Sequence, residues 1–192
     1  KMDGVASEKK SLSGLLSKAN LTAVEALLML GLGAAAVVLH QTLRAPLNLP
    51  GRHGLEWMAL LVIGRSFGRS RYAGSLASIG AAATALLPIW AGFDDPFIWL
   101  IYLLPGPIFD FAFARFPRWT GNLAFLAVVG GLAHATKPLV RWIIALVSGF
   151  PYGSLLWGVG YPTATHILFG AAGALLGGLA VWGVRKAANT KK

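Results

Sequence analysis

The stretch PTATHILFGAAGALLGGLAVWGV, residues 162–184, decides how the rest of the sequence is interpreted. It is long enough to cross a bilayer, because a membrane-spanning helix needs about 20 mostly apolar residues. Gly170, Ala174 and Gly178 recur at four-residue spacing, which places them on one face of a helix. Small residues on one face let two helix backbones approach closely within lipid. The stretch therefore predicts a membrane helix that packs tightly against its neighbours.

Five further apolar segments precede this one, and together they predict an all-α membrane protein with a compact six-helix transmembrane bundle. Of the 192 residues, 56% are hydrophobic and only 12% are charged, whereas soluble domains carry about 25% charged residues. The second segment is short, and Pro105-Gly106-Pro107 interrupts the fourth, where a kink or a break is expected. The five segments cover residues 21–40, 55–67, 72–91, 96–113 and 122–147.

Of the 17 Lys and Arg residues, 13 lie in alternate gaps between the segments, before the first and after the second, fourth and sixth, and the exceptions are Arg44, Arg52, Lys137 and Arg141. Short loops rich in Lys and Arg stay on the cytoplasmic side, so we expect both termini in the cytoplasm. Residues 1–20 are predicted to be a leader, partly disordered or a short interfacial helix. Residues 21–184 are the predicted transmembrane domain, and residues 185–192 a basic tail. The net charge of +10 is ascribed to topology and anionic lipid, not nucleic acid, because the bases lie at segment ends.

Three loops fall on the opposite side, at residues 40–57, 91–96 and 148–162. They combine polar and aromatic side chains, whereas the basic loops are short and plain. Elaboration on one side predicts an extracellular binding mouth. Asp94 and Asp95 precede Pro96, so capping of the fourth segment is their simpler interpretation. The candidate ligand-binding residues in these loops are His53, Asp94, Asp95, Tyr152, Trp157 and Tyr161.

The fifth segment contains three further candidates, His134, Lys137 and Arg141, at helical spacing i, i+3 and i+7. Ionisable groups within spanning segments are costly and usually face an interior or a water-filled cavity. One interpretation is a cationic wall for an anionic group of a ligand. The alternative is that the span ends near Thr136 and both cations reach the outer interface.

The histidines of the outer loops are ambiguous. His40, His53 and Glu56 include residue types that ligate metals, but their spacing matches no metal motif, and hydrogen bonding within the loop is the alternative. His166, near the outer start of the sixth segment, is open to the same two interpretations. We predict no metal site and no cofactor from the sequence.

Enzyme motifs are missing from the chain. It lacks a phosphate-binding loop, a His-Glu-x-x-His pair and a Gly-x-Ser-x-Gly elbow. A Ser75–His134 dyad is supported by residue type alone. The chain is also small for a self-sufficient carrier built from inverted repeats. We therefore expect a protein that binds rather than catalyses.

Six spans, internal termini, elaborated outer loops and a small-residue first helix resemble the substrate-binding S component of energy-coupling factor (ECF) vitamin transporters. In that family an Ala-x-x-x-Ala row on the first helix docks a T subunit, and Gly31 and Ala35 are the nearest match here, with glycine in place of the first alanine. The resemblance implies a prokaryotic inner (cytoplasmic) membrane, a T subunit and two ATPase subunits.

The resemblance also implies that a vitamin-class molecule is captured from outside and delivered inward by reorientation of the protein. The candidate residues above would form its site. The ligand is expected to be cobalamin-like or a smaller anionic vitamin. The alternative function is an intramembrane enzyme or a structural membrane assembly factor.

Overall fold

The chain, described as a computed structural model, is all-helical over its described residues. These are residues 3–42, 49–87, 95–156 and 158–190 for the backbone, with side chains from residue 23 onward. Two short 3-10 helices, Pro117–Trp119 and Gly153–Leu155, precede α6 and α7. The α-helices are α1 Asp3–Thr42, α2 Gly54–Phe67, α3 Ala73–Ala85, α4 Leu100–Leu103, α5 Pro105–Arg115, α6 Leu123–Ser148 and α7 Gly160–Asn189.

Among the described residues, three helices are long and apolar enough to cross a membrane, which indicates a membrane protein by helix length and composition. They are residues Ala23–Thr42 of α1, the whole of α6 and the whole of α7. The other helices are shorter, with 14 residues in α2, 13 in α3, 4 in α4 and 11 in α5. They align with the second, third and fourth predicted segments.

Helix boundaries differ in detail from the segments in the sequence. Because α1 begins at Asp3, the predicted leader is continuous with the first segment as one helix. At the other end α7 continues to Asn189, so it includes the start of the predicted basic tail. A boundary lies at Leu104, between α4 and α5, and Pro105 opens α5. Proline suits the first turn of a helix, where its missing N–H leaves no hydrogen bond unmade.

Small residues allow the long helices to pack with their backbones nearly touching. On α7, Gly170, Ala174 and Gly178 are all buried, as the sequence predicts. A Cβ atom at Gly170 would lie 2.5 Å from the carbonyl oxygen of Gly130 on α6. In the contact of α1 with α3, a Cβ atom at Gly33 would collide with the carbonyl oxygen of Ala77. Larger side chains at these positions would push the helices apart.

One end of the bundle is held by a buried carboxylate. Asp110 on α5 accepts hydrogen bonds from the backbone N–H of Gly74 at 3.0 Å and of Ser75 at 2.7 Å, and from the Ser75 hydroxyl at 2.7 Å. Its Oδ1 atom also lies 2.9 Å from Nε of Arg65 on α2. Asp110 thus satisfies the free N–H groups at the start of α3 and joins α2, α3 and α5. We call this group of Arg65, Ser75 and Asp110 the arginine end.

Replacement of Gly33 by alanine is predicted to destabilise the protein by about 1–3 kcal/mol, because the added methyl group meets backbone that cannot rotate away. The matched control is Gly31→Ala on the same helix, where a Cβ atom has nothing within 4 Å. Thermal unfolding in mild detergent should show a Tm several degrees lower for Gly33→Ala only. Equal Tm values for the two variants would contradict the proposed close contact of α1 with α3.

Candidate functional site

All four histidines of the chain lie in one series of ring contacts. They come from the end of α1, the turn before α2, the middle of α6 and the first turns of α7. The ring centroids are 4.5 Å apart for His40 and His53, 4.7 Å for His53 and His134, and 4.7 Å for His134 and His166. We call these four residues the histidine cluster. It lies at the start of α2, roughly 18 Å along that helix from Arg65.

The turn before α2 can reach the other two helices because glycines flank Arg52-His53. Gly51 has a φ of +82°, and a Cβ atom there would lie 2.8 Å from the His166 ring. A Cβ atom at Gly54 would lie 2.6 Å from Cδ2 of His134. Both glycines are therefore required by the rings that pack on them. The pattern Gly-Arg-His-Gly at residues 51–54 is a feature of the sequence that could have pointed to close packing around His53, and the predictions above did not use it.

Backbone carbonyls determine which nitrogen carries the proton in two of the rings. Nε2 of His134 lies 3.0 Å from the carbonyl oxygen of Gly51, and Nδ1 of His166 lies 2.6 Å from that of Pro162. A carbonyl oxygen only accepts, so each of these nitrogens donates an N–H. In a neutral imidazole the other nitrogen then bears a lone pair. Within the described part of the chain, Nδ1 of His134 and Nε2 of His166 have no hydrogen-bond partner, and neither has Nε2 of His53.

Lys137 lies one turn beyond His134 on α6, and its side chain is 0% exposed. Nζ lies 4.1 Å from the centre of the Tyr102 ring, which gives a cation–π contact. Among the described residues it has no hydrogen-bond partner. The alternative in which Lys137 reaches the outer interface is therefore wrong.

Arg141, a further turn along α6, belongs to a polar layer above Lys137. Its Nη2 atom lies 3.5 Å from Oδ2 of Asp95, and its guanidinium group lies 5.4 Å from the centre of the Tyr152 ring. The Tyr152 hydroxyl donates to Oδ1 of Asp95 at 3.1 Å. Asp95 also accepts from the backbone N–H of Phe97 at 2.9 Å, which closes a turn before α4. Because α4 begins at Leu100 with Trp99 as its N-cap and no capping side chain, the predicted capping role is wrong for Asp95. Burial raises the pKa of Tyr152 to about 12, with the charge and hydrogen bond of Asp95 adding to the effect.

The remaining candidates are dispersed or lie outside the described residues. Tyr161 is 51% exposed at the start of α7. Asp94 and Trp157 fall outside the residues that the structure describes. Gly31 and Ala35 lie on an exposed face of α1, whereas Gly33 on the same helix is buried.

Two contacts bear on the alternatives raised by the sequence. Nδ1 of His40 lies 3.7 Å from a carboxylate oxygen of Glu56, so the end of α1 contacts the start of α2. The Ser75 hydroxyl donates to Asp110 at the arginine end, so it is committed to a structural contact. A Ser75–His134 catalytic dyad is not formed.

Tyr102 is the residue of this site that the sequence analysis missed. It is buried on α4, where its ring contacts both Lys137 and Trp57. Aromatic residues are frequent throughout the apolar segments, so nothing in the sequence distinguishes this one. Only the packing of α4 against α6 brings it beneath the lysine.

No protein-family model, no curated protein and no solved structure matches this chain. What bears on its function is therefore the chemistry of the histidine cluster, of Lys137 and of the polar layer above it.

Asp95→Asn is predicted to lower the pKa of Tyr152 from about 12, because the carboxylate no longer disfavours the phenolate. The burial contribution remains, so the pKa stays above its ordinary value of about 10. The ultraviolet absorption of tyrosinate, followed from pH 9 to 12.5, measures the effect. Tyr152→Phe identifies the late-titrating group by removing it. Identical titration curves for the wild type and Asp95→Asn would contradict the Asp95–Tyr152 contact.

Proposed function

We propose that this chain is the substrate-binding subunit of a membrane importer and captures a small polar solute. The main observation in support of this proposal is the fully buried Lys137, whose Nζ atom has no hydrogen-bond partner in the described part of the chain. A buried ammonium group without a partner is costly, and an ionisable residue inside a membrane helix usually marks a functional site. An anionic group of a ligand would provide the missing partner.

Access to this group is consistent with capture from one side. His134 and Lys137 are fully covered, whereas His53 is half-buried at the start of α2. Gly51 contributes the carbonyl that holds His134, so the turn of residues 51–54 forms one wall of the site. A ligand would enter past His53 and beneath the layer of Arg141, Asp95 and Tyr152.

The direction of capture is proposed from the distribution of charge. Arg65 belongs to the arginine end, and the basic gaps after the second, fourth and sixth segments surround it in the proposed topology. Since such loops stay in the cytoplasm, the histidine cluster would lie toward the outside. In this arrangement α2, α3 and the α4–α5 pair complete a six-helix bundle with both termini in the cytoplasm.

Coupling to an energy source is proposed through the resemblance to ECF S components. Gly31 and Ala35 lie on an exposed face of α1, so this face is available for a T subunit within the bilayer. Two ATPase subunits on other chains would then drive reorientation in a prokaryotic cytoplasmic membrane. The chain itself would bind and release, without turnover.

A small anionic vitamin fits this site better than a cobalamin-like molecule. A corrin occupies four coordination positions around its metal in one plane, which leaves at most one imidazole per face. Three imidazoles converge here from three directions. Full enclosure of Lys137 and His134 also favours a compact ligand.

Lys137→Met is predicted to weaken ligand binding by at least about 10-fold, the loss expected for a charge-assisted hydrogen bond. The matched control is Lys186→Met, at an exposed position near the end of α7. Mass spectrometry of small molecules that co-purify in mild detergent identifies the ligand, and equilibrium binding then measures its affinity. Recovery of lipid alone, after loading with a panel of vitamins, would contradict the proposal.

The same substitution separates a binding role from a structural one. Methionine is similar in length and uncharged, so removal of a cation without a partner should leave the Tm of the ligand-free protein unchanged or raise it. A lysine retained for stability would behave in the opposite way. A Tm several degrees lower for ligand-free Lys137→Met would assign the residue to structure.

A further inference from the structure

Three histidines of the cluster bring ring nitrogens close together. One ring nitrogen from each of His53, His134 and His166 lies within 4.8 Å of those of the other two. Nitrogen ligands at about 2.0–2.1 Å from a tetrahedral metal ion are roughly 3.4 Å apart. To surround one ion, these nitrogens would need to approach one another by at most about 1.4 Å.

One nitrogen of each of two rings is hydrogen-bonded to a backbone carbonyl, as in many metal sites. Histidine ligands usually donate their second N–H to a carbonyl or a carboxylate, which orients the ring and raises its basicity. The carbonyl oxygens of Gly51 and Pro162 do this for His134 and His166. The lone pairs that remain have no hydrogen-bond donor among the described residues. Such lone pairs require a Lewis acid or a hydrogen-bond donor, and an anion alone would leave them unsatisfied.

We propose that His53, His134 and His166 bind a divalent first-row transition metal ion. Three imidazoles without thiolates suit Zn²⁺, Co²⁺, Ni²⁺ or Cu²⁺, whereas Mg²⁺ and Ca²⁺ prefer oxygen ligands. A three-histidine set leaves one tetrahedral position open. The neighbouring Lys137 ammonium group repels a bare cation and favours an anion in that position, such as chloride or a carboxylate.

This proposal deepens the proposed function. It rests on that function in one respect only, namely that the bound ion is transported. In that case the substrate is a metal ion together with a small anionic ligand, which satisfies the histidine lone pairs and Lys137 at once. Binding of the ion itself does not depend on transport. The two proposals can therefore fail separately.

The test is a titration of the full chain with Co²⁺, after purification through a tag without histidine and removal of bound metal with a chelator. We expect one ion per chain and the visible absorption of four-coordinate cobalt(II). Zn²⁺ should displace the cobalt, and Mg²⁺ and Ca²⁺ should not.

Two variants remove the metal-binding nitrogen of a histidine and keep the hydrogen bond that its other ring nitrogen donates to the backbone. In His134→Gln the amide replaces the Nε2–H donor to Gly51, and in His166→Asn it replaces the Nδ1–H donor to Pro162. Each should weaken Co²⁺ binding by at least roughly 100-fold, more than the 10–100-fold typical of losing an outer partner. The matched control is His40→Gln, which contacts His53 from outside the set of three and should change affinity by less than about threefold.

Absence of Co²⁺ binding to the folded wild type would overturn the proposal, as would equal losses in all three variants. If the ion does not bind but an organic ligand co-purifies and depends on Lys137, the metal proposal fails and the proposed function stands. If the ion binds with the expected variant pattern but no other solute is captured and cells lacking the protein take up the metal normally, the metal site stands and the importer role fails.

Discussion

The close approach of glycine backbones where α2, α6 and α7 meet is the constraint on which the rest of the structure depends. A Cβ atom at Gly170 would lie within 2.6 Å of both the Gly130 carbonyl and Cβ of His134. One turn further along α7, Gly173 faces the carbonyl oxygens of Gly54 and Leu55. In a bilayer there is little hydrophobic drive between helices, so van der Waals contact of this kind carries much of the association. The histidine rings are in contact because the backbones of α2, α6 and α7 approach one another so closely.

The Asp110 carboxylate and the histidine cluster contrast in how well their polar atoms are satisfied. At the arginine end, Asp110 receives three hydrogen bonds and an ion pair, which accounts for both of its oxygens. At the histidine cluster, three nitrogens and the Lys137 ammonium group lack hydrogen-bond partners within the described residues. Buried polar groups in native proteins are nearly always paired. The contacts of Asp110 are therefore explained by folding alone, and the unpaired nitrogens around Lys137 are the basis of the proposed binding site.

Helical spacing predicted part of the site, because side chains at i, i+3 and i+7 share a face whatever surrounds them. His134, Lys137 and Arg141 do lie along one face of α6, but not as a uniform cationic wall. Lys137 lies against Tyr102, whereas Arg141 is paired with Asp95. Which partner each cation meets depends on α4 and on the segment before it, and helical spacing contains no information about them.

The membrane character, the helical class and the tight packing of α7 were determined by the sequence alone. Length, hydropathy and small-residue spacing are local properties, and a bilayer leaves helices as one of very few structures that satisfy the backbone. Only the tertiary structure decided that His53, His134 and His166 form one group. They are separated by 81 and 32 positions along the chain, so no short motif unites them. The physical reason is that their convergence arises from contacts between helices, which depend on the packing of the whole bundle.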